Sequence, residues 1–185
     1  MDDQEILDLY WNRSENAISE TASKYGGYCH CIAYNILENN EDAEESVSDA
    51  YLSAWNSIPP KRPAALATYL GKITRNLAID RLRTRSREKR GGGEADVALE
   101  ELEEIVGNSD SPETVATRKE LVASLNRFLE SLPKTERSIF LCRYWYLDPI
   151  AVIAEKTGFS VSKVASMLYR LRKNLKKQLE KEDLL

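Results

Sequence analysis

The stretch DPIAVIAEKTGFSVSKVASMLYRLRKNL, residues 148–175, decides the fold. Asp148-Pro149 reads as a helix start, with Asp as the cap and Pro at the first helical position, where its fixed φ suits the helix and its missing N–H removes no bond. A short helix is predicted from Ile150 to Thr157, ending at Gly158. Ser160 then caps a longer helix in which Val164, Leu168, Leu171 and Leu175 recur at helical spacing as one buried stripe. A short helix, a glycine turn and a longer helix with polar and basic residues outward make the helix-turn-helix pattern.

In that pattern the second helix enters the major groove of duplex DNA by its N-terminal end. Off the buried stripe, this end presents Ser162, Lys163, Ser166 and Tyr169. A lysine can donate to guanine edges or to phosphate, and a serine can bond either. Further along, Arg170, Arg172, Lys173, Lys176 and Lys177 fall where the phosphate backbone would run, supplying salt-dependent affinity without sequence information. A basic, solvated helix in a bundle is the plainer reading of the same residues. The glycine turn and the serine cap together favour the groove reader.

Upstream, the same domain holds an amphipathic helix with Leu121, Leu125, Phe128 and Leu129, then one opened by Pro133 that carries Ile139, Phe140, Tyr144 and Trp145. This domain is placed at residues 113–185. Residues 91–112, from Gly91-Gly92-Gly93 through an acidic segment with few large apolar groups, read as a flexible linker with a transient helix around Val97–Ile105.

The other domain, residues 1–90, ends in YLGKITRNLAIDRLRTRSREKR, residues 69–90. Leu66, Leu70, Ile73 and Leu77 form an apolar stripe there, while Lys72, Asn76 and Arg83 line another face with Asp80 beside them. From Arg81 to Arg90, six of ten residues are basic. A helix with these two faces suits a place between a protein core and a polyanion: Lys72 and Asn76 could meet base edges, and Tyr69 could stack on exposed bases.

Before it, Pro59, Pro60 and Pro63 stop a helix of about residues 41–57 that is capped by Asn39 or Asn40 and rich in acids at its start. Its inner face is Val47, Ala50, Tyr51, Ala54 and Ile58. Glu45, Asp49 and Asn56 lie outward, with Leu52 out of place among them and Trp55 at one edge. Such a mixture suits a protein interface, where aromatic and apolar anchors sit inside a polar rim, as well as it suits a solvated face. Residues 3–37 read as helix, with a seam of Ile18, Ala22, Tyr25, Cys29, Ile32 and Ile36; Gly26-Gly27 marks either a break or a close helix contact. No segment shows sustained strand alternation, so the fold expected is all-α: two small helical domains, the C-terminal one a helix-turn-helix.

Net charge is −4 over 185 residues, but it is segregated: −10 in residues 1–60, +8 in 61–90, −7 in 91–120 and +5 in 121–185. Two basic blocks between acidic ones suggest two polyanion contacts and a surface reserved for a protein partner. No apolar run approaches the ~20 residues of a membrane span, and the acidic opening MDDQEILDLYW has no signal-peptide pattern, so a cytoplasmic protein is expected. Three cysteines argue against a disulfide framework. Cys29, His30 and Cys31 lack the second pair that a tetrahedral metal site needs, and Cys29 falls on the packing seam. No phosphate loop, HExxH or serine elbow is present, and neither an enzyme activity nor a cofactor or metal is expected.

Three segments carry a family resemblance: DAEESVSDAYLSAW at 42–55, YLGKITRNLAIDRLR at 69–83 and LPKTERSIFLCRYWYLDPIAVIAEKTGFSVSKVASMLYRLRKNL at 132–175. In order and spacing the chain resembles an RNA polymerase sigma factor of the sigma-70 family, of the small two-domain extracytoplasmic-function (ECF) type. The resemblance implies a promoter-specificity subunit that directs transcription initiation, with core RNA polymerase (β′ clamp helices and β flap) and promoter DNA as partners. An anti-sigma protein is a further partner it makes plausible. It implies polymerase binding through Asp42, Glu45, Asp49, Leu52 and Trp55. It assigns melting and reading of the minus-ten element to Lys72, Arg75, Asn76, Asp80 and Arg83. Reading of the minus-thirty-five element falls to Ser162, Lys163, Ser166, Tyr169, Arg170 and Lys173. The family often has Gln, Trp and Glu where Ser48, Tyr69 and Val152 stand. A free-standing helix-turn-helix regulator is the alternative, and it would have no use for the acidic 42–55 face.

Overall fold

The computed structural model describes residues 1–88, 93–106 and 115–185, and among them every regular element is an α-helix. The chain forms two compact units, Met1–Gly91 and Gly92–Leu185.

In the first unit, α1 (Asp3–Trp11) leans on α2 (Asn16–Leu37), and α2 packs with α3 (Asn40–Ser57) and α4 (Leu66–Glu88) as a three-helix core. Each start has a local cause. Asp2 accepts from the Glu5 N–H at 2.8 Å while Glu5 accepts from the Asp2 N–H at 2.7 Å, a reciprocal cap for α1. Asn39 accepts from the Asp42 N–H at 2.9 Å and opens α3.

The helical run read over residues 3–37 breaks at residues 12–15, where Arg13 adopts a left-handed φ of 53°. The glycines stay inside α2. At Gly26 a Cβ would lie 3.4 Å from Tyr51 Oη of α3, whereas at Gly27 it would meet open space, so the helix contact belongs to Gly26 alone. Gly71 of α4 is more demanding, because a Cβ there would lie 2.5 Å from Tyr28 Oη.

The seam of α2 is buried at Cys29, Ile32 and Ile36 and joined by Ala33 and Leu37. Towards its start the buried positions rotate to Ala17 and Thr21, the latter 2.9 Å from the Tyr10 hydroxyl. The inner face of α3 is buried at Val47, Ala50, Ala54 and Ile58, as its spacing predicts, while Tyr51, expected with them, is half-buried. In α4 the expected stripe holds only at Leu66 and Leu70. Ile73 and Leu77 are half-buried, and the core face continues through Thr74, Ala78, Ile79 and Leu82. The face widens because α4 packs on α2 and α3 at once, so its contact surface is broader than one leucine row.

The second unit contains α5 (Glu94–Val106), α6 (Val115–Ser131), α7 (Lys134–Tyr144), α8 (Ile150–Thr157) and α9 (Val161–Lys181). Its core joins Phe128, Ile139, Phe140, Leu147 and Ile153 to the α9 stripe Val164, Met167, Leu168, Leu171, Leu175 and Leu179. Residues 94–106, expected within the linker, pack as α5 on α7 and α9, burying Ala95, Ala98 and Ile105. The remaining linker residues 107–112 lie outside the described residues.

Asp148 does not cap α8 through its side chain. Pro149 is the N-cap, and the buried Asp148 carboxylate accepts from Lys156 at 2.7 Å. The rest of the turn is as read: Gly158 takes φ +70°, and Ser160 Oγ accepts from the Lys163 N–H at 3.2 Å.

Candidate nucleic-acid and protein-docking faces

The exposed side of α9 assembles all six residues expected there. Ser162, Lys163, Ser166, Tyr169, Arg170 and Lys173 face solvent, Tyr169 with 58% of its surface free. The Ser160 cap and the leucine stripe together fix the rotation of α9, which is why these positions point away from the core. The Lys163 ammonium stands 3.5 Å from the Phe159 ring centroid, a cation–π contact that holds it at the helix start. Lys176 and Lys177 are also exposed.

Arg172, expected among the phosphate contacts, is turned inward. It donates to the Tyr144 hydroxyl at 2.7 Å and pairs with Glu101 at 3.1 Å. That pair belongs to a network the sequence reading missed. Arg143 of α7 has a side chain only 1% exposed and is met by Glu94 at 2.9 Å and Glu101 at 3.5 Å, both on α5. Tyr144 donates to Glu101 at 3.0 Å, and burial pushes its phenol well above the usual range. The available signal was Arg143 four residues after Ile139, a charge on an apolar stripe, with two acids seven apart on α5.

On α4, Lys72, Asn76, Asp80 and Arg83 are exposed along one side, as expected. Arg75 is half-buried, and burial together with Arg83 lowers its guanidinium pKa. Tyr69 is half-buried, with its hydroxyl 2.7 Å from Ser57 Oγ at the end of α3. That bond ties its hydroxyl to the end of α3. Side chains 86–90 of the basic run lie outside the described residues.

On α3, Leu52 is 56% exposed in the midst of the acid row. Trp55 is half-buried beside Tyr10, its ring centroid 6.2 Å away, and under the Arg13 guanidinium at 5.3 Å. Arg13 also donates to the Trp55 carbonyl at 2.7 Å. The three acids are not bare. Arg81 of α4 pairs with Glu45 and, at 3.0 Å, with Asp49, while Arg85 pairs with Asp42 at 3.0 Å and donates to the Leu37 carbonyl at 3.2 Å. The Arg81 guanidinium lowers the Glu45 carboxyl pKa, and Glu45 in turn raises that of Arg81. Asp42, Asp49, Leu77, Asp80, Arg81, Thr84 and Arg85 surround a shallow groove of about 400 Å³ between the two helices.

Cys29 is buried and its thiol pKa raised by burial, Cys31 is exposed, and His30 Nε2 lies 3.0 Å from Asn40 Oδ1. Among the described residues no three His, Cys, Asp or Glu side chains cluster to hold a metal ion, and no helix is long and apolar enough to cross a membrane.

A family model described as Sigma-70 region 2 matches residues 22–88, and one described as Sigma-70, region 4 matches residues 123–175. The chain is 25% identical over 163 residues to the ECF RNA polymerase sigma factor SigE of Mycolicibacterium smegmatis, covering 88% of this chain but 61% of that relative. It is 26% identical over 172 residues to the ECF RNA polymerase sigma factor SigW of Bacillus subtilis, covering 89% of this chain and 90% of SigW. With the RNA polymerase sigma factor SigV of Bacillus subtilis it shares 29% identity over 154 residues, 83% of this chain and 85% of SigV.

Proposed function

The chain belongs to the sigma-70 family of RNA polymerase sigma factors, in its extracytoplasmic-function branch, and from that premise we propose that it is a promoter-specificity subunit. It binds core RNA polymerase in the cytoplasm, directs initiation at specific promoters and has no catalytic activity of its own. One observation carries the reading: a single chain holds an apolar anchor in an acid row, Leu52 on α3, and two exposed polar and basic faces, one on each unit. A free-standing DNA regulator has no use for the first of these.

In detail, Asp42, Glu45, Asp49, Leu52 and Trp55 dock on the β′ clamp helices, and the second unit meets the β flap. The α4 residues Lys72, Arg75, Asn76, Asp80 and Arg83 open and read the minus-ten element. Ser162, Lys163, Ser166, Tyr169, Arg170 and Lys173 on α9 read the minus-thirty-five element in the major groove. An anti-sigma protein that covers these faces would hold the chain inactive.

The test is reconstitution of purified chain and core polymerase on a promoter library, read by run-off transcription. Transcripts depend on the chain if the proposal holds. Leu52→Ala is the most informative variant, because Leu52 is outside the core and takes no part in the Arg81 or Arg85 pairs. It should weaken polymerase binding without lowering the thermal midpoint. Tight promoter binding by the chain alone, indifferent to Leu52, would favour the regulator instead.

A further inference from the structure

The α3 helix runs into Ile58-Pro59-Pro60, and the prolines leave its last carbonyls short of donors. The Ala54 carbonyl still takes the Ile58 N–H at 2.9 Å. The next carbonyl, that of Trp55, would accept from residue 59, which is a proline and has no N–H. Its donor comes from another part of the unit. Arg13, in the turn between α1 and α2, reaches the Trp55 carbonyl through Nη1 at 2.7 Å. A cation there also suits the negative end of the α3 dipole.

The same guanidinium stands 5.3 Å from the centroid of the Trp55 ring. Tyr10, fully buried at the end of α1, has its own ring centroid 6.2 Å from that of Trp55. The turn therefore holds Trp55 by backbone and by ring together. Arg13 takes φ 53° to do so, a left-handed conformation that ordinarily falls to glycine or asparagine. Its side chain is exposed, yet it folds back onto one tryptophan and gives up rotamer freedom there. On α3, Trp55 lies three residues after the exposed Leu52, so the two side chains are neighbours on the helix surface. An anchor that is ordered before contact loses less freedom on docking.

Resting on the proposed polymerase-docking face, we propose that Arg13 is a positioning residue for that face. It acts through Trp55, holding the indole beside Leu52 in the orientation that docks, and not by its own contact with polymerase.

The test is a double-mutant cycle on the full chain, with binding to core polymerase followed by fluorescence anisotropy of a dye at the chain's end. Arg13→Ala alone should weaken binding about fivefold, in the range found for side chains in contact. In a Trp55→Ala background the same change should add nothing. Equal losses in both backgrounds overturn the proposal, because Arg13 then acts independently of Trp55. Arg13→Lys keeps a cation and a donor and should recover part of the loss; a lysine variant as weak as alanine counts against it.

A second readout needs no polymerase. The tryptophans of the chain are Trp11, Trp55 and Trp145, so Trp11→Phe with Trp145→Phe leaves Trp55 as the sole indole fluorophore. Arg13→Ala should raise acrylamide quenching of Trp55 in the free chain, and Arg13→Lys should raise it less. Unchanged quenching overturns the positioning role. A wild-type chain that fails to bind polymerase removes the docking reading and this inference with it. A wild-type chain that binds, with Arg13→Ala binding equally well, removes this inference alone.

Discussion

Arg143 and Glu94 meet at 2.9 Å across forty-nine residues of sequence, a buried guanidinium near the end of α7 answered by the first residue of α5. Glu101, two turns along α5, stands 3.5 Å from the same guanidinium and also takes Tyr144 and Arg172. An ion brought out of water is tolerable only when paired, so the acids of α5 complete the core of the second unit instead of merely joining the two units. The acidic segment is therefore partly a structural element.

Stranding a buried charge costs far more than replacing that charge with an apolar group. Glu101→Ala should lower the stability of the second unit by about 3 kcal/mol, measured by urea unfolding. Arg143→Met, which replaces the charge with an apolar stem, should cost much less. Glu104 is exposed and serves as the control. If Glu104→Ala and Glu101→Ala are equivalent, the α5 network contributes nothing.

Gly71 is a test of packing against propensity. Alanine in a helix interior is favoured over glycine by about 1 kcal/mol, yet a Cβ here lies 2.5 Å from Tyr28 Oη and 3.1 Å from two ring carbons. Gly71→Ala should therefore lower the thermal midpoint of the first unit. The same change in a Tyr28→Ala background should raise it. A midpoint that falls equally in both backgrounds would mean the tyrosine is not the obstacle.

The recognition helix separates sequence-reading from sequence-blind contacts. Lys163, held at the helix start over Phe159, should shift preference within the upstream promoter element by about 1–3 kcal/mol when replaced by alanine, the range of a good base contact. Lys176, thirteen residues further on, should weaken all sequences alike and flatten the salt slope by about 1. Competition binding against a randomised element distinguishes them. Sequence-blind losses from both would make Lys163 a phosphate contact.

Alkaline pH should titrate the buried and half-buried tyrosines of the first unit late. Burial pushes the Tyr51 phenol up to about 12, and it raises those of Tyr10 and Tyr25 as well. The neutral phenol is the form the fold prefers, so the contribution of Tyr51 is complete below its ordinary value of 10.0 and fades as pH rises from there to about 12. Phenolate absorbance should show a late-titrating step that Tyr51→Phe diminishes by one phenol, and the variant should unfold at higher pH than the wild type. An unchanged titration would place Tyr51 in solvent.

What the sequence alone determined is whatever depends on neighbours in the chain. The Gly158 turn, the Ser160 cap and the leucine stripe of α9 are local, and together they set both the helix-turn-helix and the outward face of six residues. The Asn39 cap and inner face of α3 were legible for the same reason. Tertiary structure decided the pairings that join distant segments. Periodicity gives a helix face but not the number of helices it meets, so the α4 stripe shifted to Thr74, Ala78, Ile79 and Leu82. Charge counts give a polyanion-seeking run but not its partners, so Arg81, Arg85 and Arg172 looked available for phosphate. Each is instead paired with an acid of another helix, because a carboxylate fixed within reach by the fold is a nearer counter-charge than any ligand in solution.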